Sequence, residues 1–139
     1  MLSQLLQPDI LSALARAGHG SCVLIADANY PVSTHSPASA VKVFLNLRPG
    51  MVQVADVLEV LRDTVPIEQA TVMAAPDGRP VPVHQELLKL LPAGLPTRSL
   101  SRAEFYAAVG QPTTALVIAT GEERRFANIL IAIGVVKRD

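Results

Sequence analysis

Short apolar runs recur along the chain, and each is bounded by polar residues, glycine or proline. In residues 21–26 and 115–119 almost every side chain is apolar, which is typical of strands buried on both faces of a sheet. Residues 128–133 show the same pattern, and residues 135–136 either pair with this strand or continue it past a bend at Gly134. With the weaker runs included, the pattern predicts strands at 21–26, 41–47, 69–75, 97–100, 115–119 and 128–133.

In the segments between these runs, apolar residues recur with helical periodicity. Residues 52–65 place apolar side chains on one helical face before Pro66. Ser101 followed by Glu104 is a capping-box pattern that opens another helix. The predicted helices are 8–17, 52–65, 84–91 and 101–110. Because strands and helices alternate with no repeat or linker, the sequence predicts one α/β domain over residues 1–139, with helices packed on a mixed, mostly parallel sheet.

The composition is apolar for a chain of this length. Half of the residues are hydrophobic and 17% are charged, with 12 basic and 12 acidic side chains. The apolar content fits a sheet buried on both faces, apolar surface covered between subunits, or both. Balanced charge, few aromatic residues and no basic cluster larger than Arg124-Arg125 argue against a nucleic-acid partner.

The cysteine content and the N-terminus give expectations about the compartment. Cys22 is the single cysteine, which excludes an internal disulfide and a cysteine-rich metal site. Residues 1–7 lack the basic and long apolar regions of a signal peptide. No window is apolar over the ~18 residues that a membrane span needs. We therefore expect a cytoplasmic protein with no membrane partner.

The most informative candidate chemistry is a histidine and a carboxylate separated by one predicted strand. His19 lies between Gly18 and Gly20, and Asp27 follows the strand at 21–26. An imidazole exchanges protons near neutral pH, and ligands of open α/β sheets bind beyond the carboxyl ends of the strands. The two groups therefore suit proton transfer to a bound ligand. The alternatives are structural, with His19 capping the preceding helix and Asp27 opening a turn.

Other candidate motifs are weaker. The segment 120–122 also follows a strand, and it converges on the same edge as Asp27 if the two strands are parallel. No phosphate-binding glycine motif occurs, and no nucleophile elbow surrounds Ser21. His35 and His84 are interpreted as surface histidines, since the histidines lack the spacing of a zinc site.

Several separate motifs together resemble one known family. They are Gly18-His19-Gly20, Ala26-Asp27-Ala28-Asn29-Tyr30-Pro31, Arg102 with Phe105-Tyr106, Thr120-Gly121-Glu122, Phe126-Ala127-Asn128-Ile129-Leu130 and Gly134-Val135. In this order they resemble the L-fucose mutarotase and D-ribose pyranase (RbsD/FucU) family over nearly the whole chain. The resemblance implies an α/β fold, a ring oligomer that is typically a decamer of two pentamers, a monosaccharide site at a subunit interface, and no metal or organic cofactor.

The resemblance also implies residue roles and an activity. His19 resembles the catalytic proton donor of the family. The residues implied to bind the sugar are Asp27, Arg102, Phe126, Ala127 and Asn128. The implied enzyme is a mutarotase, an isomerase that interconverts sugar anomers by acid–base opening and closure of the ring. The arginine at position 102 favours L-fucose or a related sugar, whereas residues 45–58 are closer to the ribose branch, so D-ribose pyranase is the alternative.

One departure from the family concerns Phe126, where the family usually has tyrosine. A lost neutral hydrogen bond costs about 0.5–1.5 kcal/mol, whereas a lost proton-transfer group costs about 10²–10⁴ in rate. The first outcome leaves an enzyme with altered sugar preference, and the second a sugar-binding or transport-accessory protein with little turnover. Tyr30 and Tyr106 are candidates to replace the hydroxyl. A structural oligomer without a sugar ligand is the third interpretation.

Overall fold

A computed structural model describes residues 4–136 of the chain. Within these residues, six strands form one sheet and four helices pack against it. The strands are β1 (Cys22–Ala26), β2 (Val41–Phe44), β3 (Ile67–Met73), β4 (Thr97–Leu100), β5 (Thr114–Ala119) and β6 (Ile129–Ile133). The helices are α1 (Pro8–Arg16), α2 (Val54–Arg62), α3 (Pro82–Lys89) and α4 (Arg102–Val109). The predicted α/β architecture is confirmed in the type and order of its elements.

Several predicted boundaries are wrong by a few residues. β2 ends at Phe44 rather than at residue 47, because the Leu47 N–H turns away to donate to the Met51 carbonyl at 3.0 Å. β6 ends before Gly134, whose N–H donates to the Pro66 carbonyl at 2.8 Å. Residues 135–136 therefore extend past the sheet without strand pairing, and both side chains are exposed.

The strand order is β2-β5-β1-β6-β3-β4. β5 is parallel to β1 and β2, and β3 is parallel to β4, whereas β6 runs antiparallel to both of its neighbours. The carboxyl ends of five strands and the start of β6 consequently meet at one edge of the sheet. We call this side the carboxyl edge and the opposite side the amino edge.

The two faces of the sheet are covered differently. α1, α2 and α3 pack on one face, where Ile10, Leu58 and Leu87 are almost fully buried. α4 and the irregular segment 27–40 cover the other face, with Phe105 at the centre of the second core cluster. No helix within residues 4–136 has both the length and the apolar character to cross a membrane.

A close backbone contact joins two loops at the carboxyl edge and requires a glycine. A Cβ atom on Gly121 would lie 2.2 Å from the Met51 carbonyl oxygen and 2.4 Å from that of Arg48. The Gly121 N–H donates to the Val52 carbonyl at 3.0 Å, which holds the loop after β2 against the loop after β5. Gly121 therefore permits close packing of two backbones.

Candidate active site

A cavity of about 360 Å³ opens at the carboxyl edge. This volume falls in the usual range for small-molecule sites. The lining side chains come from the segments that follow β1 and β4, from the last residue of β3 and from the segment that precedes β6. They are Asp27, Asn29, Tyr30, Met73, Arg102, Tyr106, Arg125, Phe126 and Asn128. Within residues 4–136, no three histidine, cysteine, aspartate or glutamate side chains group so that they could hold a metal ion.

Asp27 and Asn128 form a buried polar pair in this cavity. The Asp27 N–H donates to Asn128 Oδ1 at 2.7 Å, and Asn128 Nδ2 donates to Asp27 Oδ2 at 3.3 Å. The Asn29 N–H donates to the other carboxylate oxygen at 3.0 Å, so Asp27 also stabilises the turn after β1. Burial raises the pKa of Asp27, and backbone N–H donors partly oppose that rise. The pair offers a carboxylate and an amide to a hydroxylated ligand.

The loop before β6 is held by a histidine that sequence reasoning assigned to the surface. Phe126 adopts a left-handed backbone conformation with φ 63°, and its carbonyl accepts a hydrogen bond from His84 Nε2 at 2.8 Å. His84 is half-buried in α3, and this burial lowers its pKa. The surface interpretation of His84 is wrong, because packing of α3 beside this loop brings the imidazole to a distant backbone carbonyl. No local sequence signal marks such a contact.

The loop after β5 is joined to the segment after β1, as the parallel arrangement of these strands predicts. Thr120 Oγ1 donates to the Ala26 carbonyl at 2.7 Å, and the Ala28 N–H donates to the Glu122 carbonyl at 2.9 Å. The Glu122 side chain is 2% exposed and pairs with Arg124 at 2.9 Å. Burial opposes ionisation of Glu122, but the hydrogen bonds and charge of Arg124 outweigh it and lower the pKa. This ion pair fixes the loop that carries the cavity lining.

The two tyrosines of the cavity differ in the availability of their hydroxyls. The Tyr30 hydroxyl donates to the His35 carbonyl at 2.8 Å, and burial raises its pKa. Tyr106 packs edge-on against Tyr30 with ring centroids 5.4 Å apart. No hydrogen bond joins the Tyr106 hydroxyl to another residue of the described chain. Of the two candidates for a replacement hydroxyl, Tyr106 is therefore the better placed.

Comparison with known proteins identifies the family. A model of the RbsD / FucU transport protein family matches residues 1–136. The chain belongs to this family. It is 30% identical to a D-ribose pyranase of Paracidovorax citrulli, over 94% of this chain and 95% of that one. It is 29% identical to a fucose mutarotase of Danio rerio, over 97% and 92% of the two chains.

The RbsD / FucU fold is also confirmed by a solved structure. The structure of Bacillus subtilis RbsD complexed with D-ribose superposes with a TM-score of 0.84. The two chains are 26% identical, and the superposition covers 99% of each. The fold and family expected from the sequence motifs are thus confirmed, including the six-stranded mixed sheet.

The RbsD / FucU chain brings the predicted sugar-binding residues together. Asp27, Arg102, Phe126 and Asn128 all line the cavity. Ala127 lies between Phe126 and Asn128 in the chain and is fully buried, and its backbone N–H makes a small contribution to lowering the pKa of Asp27. Arg125 also lines the cavity, although it was not among the predicted site residues.

His19 lies elsewhere in the single chain. It precedes β1 at the amino edge, and its Nε2 is 2.9 Å from Glu68 Oε2. β1 alone spans roughly 16 Å at about 3.3 Å per residue, so His19 cannot touch Asp27 of the same chain. Within one chain, Asp27 is therefore not in a position to orient His19. The capping alternative is not seen either, because Ala17 caps α1 and His19 pairs with Glu68.

Proposed function

We propose that this protein is a monosaccharide mutarotase that acts on L-fucose or a related sugar. The observation that carries the proposal is the cavity at the carboxyl edge, in which Asp27 and Asn128 present a buried carboxylate and amide. Membership of the RbsD / FucU family supports it, as do relatives named D-ribose pyranase and fucose mutarotase. D-ribose pyranase is the alternative, because the relatives carry both names.

The proposed reaction moves two protons. An acid protonates the ring oxygen while a base takes the proton of the anomeric hydroxyl, so the ring opens to the aldehyde. Rotation about the bond beside the carbonyl carbon and closure from the other face then give the second anomer. We assign the acid on opening, and the base on closure, to His19. Asp27, Arg102 and the segment 126–128 bind the sugar hydroxyls, and no cofactor takes part.

This assignment requires His19 from a second copy of the chain. The His19 side chain is 58% exposed, so a neighbouring copy could receive it. Large apolar side chains are exposed near the carboxyl edge, where Phe44 is 62% and Leu47 77% exposed, and such surface is typical of subunit contacts. This exposed surface supports our proposal of a homo-oligomer with the sugar site at a subunit interface. From the family resemblance we further propose that it is a decamer of two pentamers, and we propose a cytoplasmic location. Light scattering should give a mass far above the 14.8 kDa of one chain.

Saturation-transfer NMR on L-fucose, D-ribose and D-galactose tests the activity. The wild type should accelerate interconversion of at least one sugar, and His19→Ala should abolish this. Arg16→Ala is the control, since Arg16 is exposed on α1 and lies outside the cavity lining. Wild-type exchange at the buffer rate for every sugar would reject the enzyme.

Subunit mixing tests whether the site is shared. His19→Ala and Asp27→Asn should each be inactive alone, because one lacks the acid and the other the sugar-binding carboxylate. If neighbouring copies complete one site, co-refolding equal amounts should restore about one quarter of the wild-type activity, because that fraction of interfaces joins two intact halves. No recovery in an oligomer that has demonstrably mixed would reject the shared site.

Phe126 favours a second candidate function, a sugar-binding or transport-accessory protein. Its side chain brings no hydroxyl to the cavity. This candidate predicts that a sugar raises the melting temperature without faster anomer exchange, and that Phe126→Tyr increases exchange. A structural oligomer predicts neither effect.

A further inference from the structure

A histidine outside the cavity lining packs against one of the lining residues. The His35 ring lies against the Tyr106 ring, with centroids 4.3 Å apart and planes tilted by 45°. Tyr106 lines the cavity, whereas His35 does not. We propose that His35 is a positioning residue, which holds the Tyr106 ring so that its hydroxyl contacts the bound sugar. The proposal rests on the function proposed above and adds a residue that acts on the site from outside it.

Three contacts fix His35, although this residue is exposed. Its N–H donates to the Pro31 carbonyl at 2.9 Å, and its carbonyl accepts a hydrogen bond from the Tyr30 hydroxyl at 2.8 Å. On the ring, Nδ1 lies 3.0 Å from Thr34 Oγ1. Because the backbone and the imidazole are both held, the His35 ring is a rigid support for the tyrosine that it touches.

Tyr106 is held from two directions. Tyr30 packs against it edge-on, with the ring planes at 87°, whereas the plane of His35 is tilted by 45°. Tyr30 is buried and His35 is exposed, so the two contacts reach the ring from the core side and from the solvent side. Because the χ2 torsion of tyrosine is broad, an edge-on contact alone leaves the ring free to tilt. Loss of the His35 ring should therefore release Tyr106 without removing it from the cavity.

The direction of the Tyr106 hydroxyl matters because the other aromatic residues of the described lining offer none. Phe126 has no hydroxyl, and the hydroxyl of Tyr30 is donated to the His35 carbonyl. A phenolic hydroxyl both donates and accepts, which suits a sugar. Its hydrogen bond weakens steeply when the angle is poor. A support that fixes the ring plane therefore affects affinity without touching the sugar.

The test measures dissociation constants by calorimetry on the full-length protein. The probe is whichever of L-fucose, D-ribose and D-galactose the wild type binds most tightly. His35→Ala should raise Kd about three- to tenfold, as expected for one lost hydrogen bond. His35→Phe keeps a flat ring against Tyr106 and should restore Kd to within about twofold of the wild type. Ser39→Ala, at an exposed position of the same segment outside the cavity lining, should leave Kd unchanged.

A double-mutant cycle shows whether His35 acts through the Tyr106 hydroxyl. Tyr106→Phe removes that hydroxyl and keeps the ring. In the Tyr106→Phe background, His35→Ala should change Kd by less than about twofold, because the group that it positions is already absent. A general disturbance of the fold or of the oligomer would instead raise Kd by the same factor in both backgrounds. Where a sugar is exchanged, KM in His35→Ala should rise with Kd, and kcat should change less.

The results separate this inference from the function on which it rests. A wild-type Kd in His35→Ala, or an equal increase in both backgrounds, would overturn the inference while exchange of a sugar still supports the mutarotase. A coupled loss of affinity with no exchange of any sugar would support the role of His35 and reject the mutarotase. Neither binding nor exchange would overturn both.

Discussion

The hydrogen bond from His84 to the Phe126 carbonyl predicts that a residue of α3 controls the loop that lines the cavity. Phe126 has a left-handed backbone, with φ 63°, which costs a residue with a side chain roughly 1–2 kcal/mol. The 2.8 Å bond from His84 Nε2 helps to hold this conformation. Asn128, two residues later, depends on the same loop to reach Asp27. We therefore expect His84→Ala to disturb the site without touching a ligand.

The size of the effect follows from the groups that lose their partner. The variant leaves the Phe126 carbonyl without its donor, a part-buried contact whose loss costs about 1–2 kcal/mol. For a domain of this length, each kcal/mol lowers the melting temperature by roughly 3–5 °C. Released from His84, the loop should also bind sugar more weakly, so KM should rise more than kcat falls. His84→Gln retains a side-chain N–H donor and should recover part of both losses.

The pH dependence provides a second readout. Burial lowers the pKa of His84 in the folded chain, whereas the unfolded chain titrates near the reference value of about 6.5. Below that value the unfolded state binds more protons at this position, so stability falls as the pH is lowered toward the folded pKa. Above that value the His84 imidazole is neutral in both states, so its contribution to stability does not change with pH. Urea unfolding is measured from pH 5.5 to 8 at one protomer concentration. As the pH is lowered, the free energy of unfolding should fall less in His84→Gln than in the wild type.

Two results would refute this reasoning. One is wild-type stability and wild-type KM in His84→Ala, since the hydrogen bond would then contribute nothing. The other is an equal loss of stability at low pH in the wild type and in His84→Gln, since another group would then be responsible for the pH dependence. In the pH series, where only stability is measured, His35→Ala serves as the control for removing an exposed histidine.

Three further variants test the loops and the start of α4. Gly121→Ala would place a Cβ 2.2 Å from the Met51 carbonyl oxygen, so the free energy of unfolding should fall by about 3 kcal/mol; a wild-type melting curve would contradict the packing argument. Asn128→Leu removes both hydrogen bonds to Asp27, and it should cost about 1–3 kcal/mol and abolish stabilisation by any sugar, which thermal unfolding with and without sugar measures. Ser101→Ala removes the N-cap of α4 and should cost about 1 kcal/mol in urea unfolding, whereas an unchanged midpoint would show that packing alone holds the helix.

Local patterns in the sequence were sufficient for the elements and for part of the site. The apolar run before Asp27 predicts a buried strand that ends in a carboxylate, and the structure places Asp27 at the carboxyl edge. Ser101 and Glu104 predict the start of α4, and both hydrogen bonds of the capping box are present. These features depend on residues within a few positions of one another, so periodicity and short spacings are enough to reveal them.

Only the tertiary structure decided how distant segments meet. The antiparallel direction of β6 brings Asn128 beside Asp27, although 101 positions separate them in the chain. Packing of α3 turns His84 toward the Phe126 carbonyl, and the length of β1 places His19 at the opposite edge from Asp27. Each arrangement follows from strand order and helix docking, which are set by the sum of many non-local contacts. No single position in the sequence reveals that sum. The sequence therefore indicated which groups are candidates for the chemistry, and the fold decided which of them meet.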